Sequence, residues 1–326
     1  MIFRIIATFL HIALLIFLGA TLLNSWIPPT FFPALNLLSL AFPGLLVAYL
    51  LLCLLWIIRW RKRALFFLAF ALVFWNPMKR WINFSGGHDE VPDLKIISFN
   101  IKGGKLQGYE QVYDYLQKQD ADIVLGQEYG GEFNVPGYPY RNEPYMQVAM
   151  NSKYEIKAQK LIDGGDIGKA FYADVDVKGT TVRIVNVYLT PFSLDKSTVK
   201  PTDDLAQNKT KVLYVLKRLI PVFRIHQQEV SLISEVVQNS PYPVILAGDF
   251  NAVPNSYEYY QLKGSLKDAF MESGHGLSTS FHDYKIPIRI DYVFASESVQ
   301  SLRYEVDRSV KLSDHFPVIT EFKINK

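Results

Sequence analysis

The chain has 326 residues, 49% of them apolar and 14% aromatic, with 34 Lys and Arg against 31 Asp and Glu and a formal charge of +3. The positive excess belongs to the residues before Asp93. From Asp93 onward the formal charge is about −2, unlike the strongly basic footprint of a duplex-binding surface. The single cysteine, Cys53, lies in an apolar run, so the part after Asp93 holds no disulfide and tolerates an oxidising compartment without requiring one.

No acidic residue precedes Asp89. Two apolar segments, Phe3 to Trp26 and Phe32 to Ile58, are each long enough to cross a bilayer at roughly 20 residues per crossing. Pro43 is expected to kink the second. A cleaved signal peptide is disfavoured for the first: Arg4 is its only basic residue, no clean small-x-small site follows, and a second long run comes next. A third run, Ala64 to Trp75, is short for a span. Snorkelling of Arg61, Lys62 and Arg63 on one side and Met78 to Trp81 on the other would extend it. The basic cluster Arg59 to Arg63 places the end of the second span in the cytoplasm. Three spans then carry the remaining chain to the outer, periplasmic side of a bacterial inner membrane. A re-entrant third segment would leave it in the cytoplasm.

Residues 1–84 are thus read as a membrane anchor, 85–92 as a linker and 93–326 as one soluble domain. In that domain Leu94 to Phe99 reads as a strand, Gly108 to Gln119 as an amphipathic helix and Asp122 to Gly126 as a strand. Tyr145 to Met150 and Tyr154 to Leu161 read as a strand pair turning at Asn151-Ser152. Lys169 to Val177 and Thr181 to Leu189 read as a hairpin around Lys178-Gly179. Leu205 to Leu219 and Gln227 to Val237 read as two helices separated near Pro221. Val244 to Gly248, Ile290 to Phe294, Leu302 to Val306 and Pro317 to Phe322 complete the strands. Many strands with few helices predict two packed sheets flanked by helices.

The most informative stretch is Pro243 to Asn251. A buried strand ends in Asp249 and Asn251, two residues apart. On an extended backbone such side chains face the same way, so both reach one phosphate or one attacking water. Other polar groups end strands in the same manner: Asn100, Glu128, Tyr188, Asp291 and the pair Asp314-His315. Carboxylates, amides and a histidine gathered at strand ends suit a hard divalent cation and phosphoester chemistry.

The pattern from Lys95 to Phe322 resembles the endonuclease/exonuclease/phosphatase superfamily. That group includes deoxyribonuclease-I-like enzymes, abasic-site endonucleases, inositol-phosphate 5-phosphatases and sphingomyelinases. The pieces that carry the resemblance are Gly248-Asp249-Phe250-Asn251, Arg289-Ile290-Asp291-Tyr292 and Ser313-Asp314-His315, in that order. Gly248 to Pro254 and Leu266 to Phe270 are similar to membrane-anchored bacterial members of Bacteroidetes type. The resemblance implies a four-layer α-β-β-α sandwich and a metal-dependent hydrolase. Glu128, Asn100 and Asp314 would hold Mg²⁺ or Mn²⁺. Asp249 would activate the attacking water and Asn251 would help place it. His315 would stabilise charge on the phosphate, with Asp291 fixing its ring.

Tyr188 stands where many relatives carry histidine, although the abasic-endonuclease branch also has tyrosine there. A phenol is a poor base but a good donor to phosphate. Arg289 is left between facing the phosphate and pairing with a neighbour. His226, His275 and His282 are read as surface or loop histidines. Gly103-Gly104 and Gly130-Gly131 are read as rim glycines, and Ser193 to Arg224 as a helical cover that decides the substrate. The leading expectation is a membrane-anchored phosphoesterase, its substrate open between a lipid head group, a small phosphodiester and nucleic acid. The alternatives are a DNA or RNA nuclease and a non-catalytic binding domain tethered to the bilayer. No protein partner is inferable.

Overall fold

The computed structural model describes residues 1–130, 133–143, 145–162, 169–193, 202–283 and 287–325, the side chain of Leu205 excepted. Helices α1 (Ile2–Leu22) and α2 (Ala34–Arg59) are long and apolar enough to cross a membrane. Pro43 sits inside α2 without ending it, so the expected kink does not divide the helix. The third apolar run is helical as well. Helix α3 (Arg61–Ala71) continues through a 3-10 turn at Leu72–Phe74 into α4 (Trp75–Lys79). Leu18, Phe42, Tyr49, Trp56 and Phe67 form the shared core of these helices. The Tyr49 hydroxyl donates to Phe67 O at 2.7 Å, and Arg63 donates to the Thr8 side chain. The chain then forms β1 (Ile82–Phe84), which pairs with β11 (His275–Leu277).

Two six-stranded sheets follow, in a mixed α/β fold. The first contains β2 (Leu94–Asn100), β3 (Ile123–Gln127), β4 (Tyr140–Arg141), β5 (Val148–Ser152), β13 (Val299–Val306) and β14 (Val318–Ile324), in the order β13-β14-β2-β3-β5-β4. The second contains β6 (Ile156–Leu161), β7 (Ala170–Val177), β8 (Thr180–Tyr188), β9 (Val244–Asp249), β10 (Lys267–Asp268) and β12 (Asp291–Ala295), in the order β10-β12-β9-β8-β7-β6. One core cluster joins the two sheets through Leu94, Ile96 and Met150 on one side and Phe171, Ile184 and Val293 on the other. The opposite face of β2, with Ile97 and Phe99, packs on α5 (Tyr109–Gln119) through Val112 and Leu116. Val185, Val187 and Leu246 of the second sheet pack on Val230 and Ile233 of α6 (Leu205–Gln238) and Tyr259 of α7 (Tyr257–Lys263). Burial on both faces explains why the central strands read as continuous apolar runs.

Most predicted elements stand within a few residues of their expected bounds. The loop Lys178-Gly179 joins β7 to β8 as a two-residue hairpin, with φ of 52° and 87° at its two positions. Two expectations fail. The strand pair expected around Asn151-Ser152 is absent: β5 pairs with β3 and β4, while β6 pairs with β7 in the other sheet. Val148 and Met150 enter the core between the sheets, whereas β6 is a largely exposed edge strand. The two helices expected on either side of Pro221 are one, α6. Burial of Leu219 and Phe223 before and after the proline, and of Val230 and Ile233 beyond, offsets the lost hydrogen bond. Of the predicted cover Ser193 to Arg224, residues 194–201 lie outside the described residues, as does Gly131 of the expected rim.

The helical section is bonded to the domain at one end. Asn36 Nδ2 donates to both Glu258 oxygens at 2.9 and 3.1 Å, and Asn36 Oδ1 accepts from Tyr257 N at 2.9 Å. Asn24 Nδ2 and Ser39 Oγ both donate to Asn255 O, and Arg80 donates to Asn255 Oδ1. The fully buried Glu258 also faces His226 Nδ1 at 2.9 Å, and His226 Nε2 faces Thr190 O at 2.7 Å. His226 is therefore a core residue, not the surface or loop histidine expected. Both its partners are acceptors, so both ring nitrogens donate and the ring is the imidazolium. Burial opposes that charge, but Glu258 outweighs it and holds the pKa above its ordinary value.

A group whose pKa is raised on folding contributes stability that is complete below its unfolded pKa, about 6.5, and is lost as pH rises through the folded value. The melting temperature of the full chain in detergent should therefore carry a component that falls above about pH 6.5, and His226→Gln should remove that component. Arg289 and Asp268, both buried, form a bidentate pair at 2.7 and 2.8 Å. Asp268→Ala leaves the buried guanidinium without its counter-charge and should cost about 3–5 kcal/mol in denaturant unfolding; a loss under about 1 kcal/mol would contradict the pairing.

Candidate active site

The topology brings the polar strand ends to one edge. β2 and β3 run parallel, with Asn100 opposite Gln127 and Glu128 next in the chain. β8 and β9 run parallel, with Tyr188 opposite Asp249. β12 is antiparallel to β9 and begins where β9 ends, with Asp291 opposite Asp249. β14 is antiparallel to β2, so the Asp314-His315 segment preceding it returns to the same edge. At Gly248 the chain passes so close to β8 that a Cβ would lie 2.0 Å from Val187 O, at a φ of 141°. Glycine is the residue that lets β9 deliver Asp249 at this separation.

Asp249 is fully buried and is the hub of the site. Asn100 Nδ2 donates to its Oδ2 at 2.9 Å and Asn251 N to its Oδ1 at 2.8 Å. His315 Nε2 stands 3.7 Å from Oδ2, while His315 Nδ1 lies 2.9 Å from Asp291 Oδ2. Burial pushes the Asp249 pKa up to about 7, against the pull of His315. Burial works the other way on His315, but Asp291 and Asp249 outweigh it and hold that ring at about 9. The His315 ring thus lies between two carboxyl groups, both of which favour its protonated form.

The expected metal ligands sit beside this hub. Glu128 Oε1 accepts from Asn100 Nδ2 at 3.0 Å and from the Tyr188 hydroxyl at 2.9 Å. Tyr188 therefore points at Glu128. Burial and then the nearby Glu128 and Asp249 raise its pKa, so it serves as a donor and not as a base. Asn100 presents its N–H groups to two carboxylates, and its Oδ1 accepts from Lys102 N at 3.0 Å. In this arrangement it holds the two carboxylates in place. Asp314 lines the same cavity as Glu128 and Asn251. Its Oδ2 is paired with the Lys102 ammonium, which also lies 3.5 Å from Asp283.

Lys102 was missed in the sequence because its partner is 212 positions away; the only hint was its place two residues after Asn100. Arg289 faces Asp268 and not the site. His282 Nε2 bonds Ser313 O beside the site, and His275 is exposed on β11.

Among the described residues, Asp249, Asp291 and His315 offer three ligand atoms within 4.8 Å of one another, a candidate divalent-cation cluster. Carboxylate oxygens suit Mg²⁺ or Mn²⁺. The histidine fits less well while it is doubly protonated, because each nitrogen then carries a hydrogen. Glu128 and Asp314 extend the oxygen donor set along the same edge. The site as a whole therefore fits a hard cation whose ligands are mainly carboxylates.

Residues 97–315 match the endonuclease/exonuclease/phosphatase family, and residues 3–81 match a domain of unknown function (DUF8431). The crystal structure of an endonuclease/exonuclease/phosphatase family protein from Bacteroides thetaiotaomicron is similar, with 18% identity and a TM-score of 0.50 over 72% of this chain and 98% of that one. At that identity the likeness shows the fold alone. No curated protein matches the chain.

Proposed function

The chain belongs to the endonuclease/exonuclease/phosphatase family, and from that premise we propose that it is a membrane-anchored, metal-dependent phosphoesterase with a deoxyribonuclease-I-like sandwich in residues 93–326. The observation that carries the reading is the Asp291–His315 pair set against the buried Asp249 carboxyl. Asp249, steadied by Asn100 and Asn251, accepts a proton from the attacking water. Its raised pKa suits a base working near neutral pH. His315, kept cationic and oriented by Asp291, stabilises the charge that grows on the phosphoryl oxygens. Tyr188 holds Glu128 through its hydroxyl. A Mg²⁺ or Mn²⁺ ion held by Glu128 and Asp314, with Asn100 assisting, would supply Lewis-acid polarisation of the phosphate. Lys102 gives Asp314 a cationic partner. The displacement is assigned to water, with Asp249 as its proton acceptor, and should invert the configuration at phosphorus.

The placement is part of the same proposal. Residues 1–84 anchor the protein in the inner membrane of a bacterium, and residues 85–92 lead to the domain. Arg63 bonds Thr8 near the start of α1, whereas Asn24, Asn36 and Arg80 bond the domain. The run from Arg61 to Lys79 thus travels from the basic end of the bundle to the domain end. At about 1.5 Å per residue it is close to the thickness of the hydrocarbon core. With Arg59 to Arg63 on the cytoplasmic side, the domain faces outward.

Purified chain should hydrolyse a generic aryl phosphodiester only with Mg²⁺ or Mn²⁺. Glu128→Gln should abolish most of that turnover while leaving the melting curve intact, and His315→Gln should lower kcat by roughly 10²–10³-fold with a smaller change in KM. Stoichiometric metal binding without any turnover would instead mark a tethered binding domain. Topology is read separately. Asp89→Cys places a thiol on an exposed linker in a chain whose own Cys53 is buried. An impermeant maleimide should label it in intact spheroplasts; labelling only after permeabilisation would put the domain in the cytoplasm.

A further inference from the structure

A cavity of about 490 Å³ opens over the strand ends. Lys102, Glu128, Asn251, Asp314 and His315 supply its polar wall. Its apolar wall comes from Phe192, from Val215, Leu219 and Phe223 of α6, and from Leu40 of α2. That volume lies within the range of roughly 300–1,000 Å³ usual for small-ligand sites. Leu40 belongs to a helix long and apolar enough to cross a membrane. The cavity therefore joins the hydrolytic edge to the membrane section directly. A wall of aliphatic and phenyl groups offers nothing to the charged backbone of a nucleic acid, whereas it shelters an alkyl chain from water.

Helix α6 supplies a second observation. Lys209, Lys217, Arg218 and Arg224 are exposed along it, and so are Val212, Leu213 and Ile225. No acidic residue occurs between Leu205 and Gln228. Basic and apolar side chains exposed on one helix are what an interfacial helix presents to a lipid surface. This helix is also held to the α1–α2 connection. His226 bonds Glu258, which takes Asn36 of α2, and Gln227 Oε1 accepts from Thr30 N at 3.0 Å. Arg224 and Ile225 are thus fixed close to where the chain turns between the two apolar helices, and the other exposed side chains extend from there along α6.

We infer that the substrate is a phospholipid whose phosphoester lies at the Asp249 edge and whose tail is seated between α6 and α2. This rests on the phosphoesterase reading above and names its substrate. The water oxygen forms the new bond to phosphorus, one P–O ester bond breaks, and the departing alkoxide takes up a proton from solvent in exchange for the one Asp249 accepts.

The test gives the full-length chain, with Mg²⁺ or Mn²⁺, a long-chain phosphatidylglycerol in mixed micelles, its dihexanoyl analogue in solution and a bis-aryl phosphodiester. kcat/KM should rise roughly tenfold or more from the aryl ester to the long-chain lipid, with the short-chain lipid between them. Val215→Glu and Leu40→Gln, both at positions with some solvent exposure, should each lower the lipid-to-aryl ratio by roughly tenfold. A ratio unmoved by either variant, or equal kcat/KM for all three probes, overturns the lipid assignment while metal-dependent turnover of the aryl ester leaves the phosphoesterase reading standing. Preferred cleavage of a single-stranded oligonucleotide overturns it too. Absence of metal-dependent turnover of every probe overturns both readings.

Discussion

The buried carboxyl of Asp249 is the constraint around which this molecule is arranged. A carboxylate with no exposed surface is costly unless every oxygen finds a partner. Here the partners come from four strands: Asn100 at the end of β2, Asn251 just beyond β9, His315 before β14 and, behind the histidine, Asp291 at the start of β12. Those strands belong to two different sheets. The site can exist only if both sheets pack with their polar ends level. The core between them, from Leu94 and Ile96 across to Phe171 and Ile184, sets that alignment. Stability and chemistry thus share one geometric requirement.

The N-terminal helical section is built into the same structure. Its polar residues are few, and those at its domain end are spent on the loop that follows Asp249. Asn24, Ser39 and Arg80 converge on Asn255, and Asn36 takes Glu258. An asparagine in an apolar helix is expensive to leave unpaired. Its pairing with the two-sheet domain therefore ties the position of the helices to the loop carrying Asn251.

Much of this was legible in the residues. The strand-end pair at Asp249 and Asn251, the alternating and continuous apolar runs and the left-handed hairpin at Lys178-Gly179 are local signals, and they located most elements and the expected site groups. What could not be read was long-range. Asn151-Ser152 looks like a hairpin turn, but whether β5 and β6 pair depends on partners in separate sheets. Pro221 looks like a break, yet tertiary burial on both sides carries the helix through it. His226 gave no sign of burial because Glu258 and Thr190 lie 32 and 36 positions away. The Lys102 contact with Asp314 is more distant still.

The site residues also terminate the strands that carry them, by a device repeated on both sheets. Asn100 Oδ1 accepts from Lys102 N at 3.0 Å, and Asp249 Oδ1 accepts from Asn251 N at 2.8 Å. Each is a side chain capturing the backbone two residues on, which lets the strand stop and turn. In each case the second residue sits in the left-handed region, with φ of 48° at Lys102 and 45° at Asn251. Glu128, at φ 50°, ends β3 in the same region, and its N–H is taken by Gln147 O at 2.9 Å. Such conformations cost about 1–3 kcal/mol apiece and persist only where the surroundings impose them. An extended backbone at these positions would prolong the strands and swing the same side chains away from Asp249. The strain is therefore tied to convergence: the turns that bend Lys102, Glu128 and Asn251 out of their strands are what bring them to a common edge.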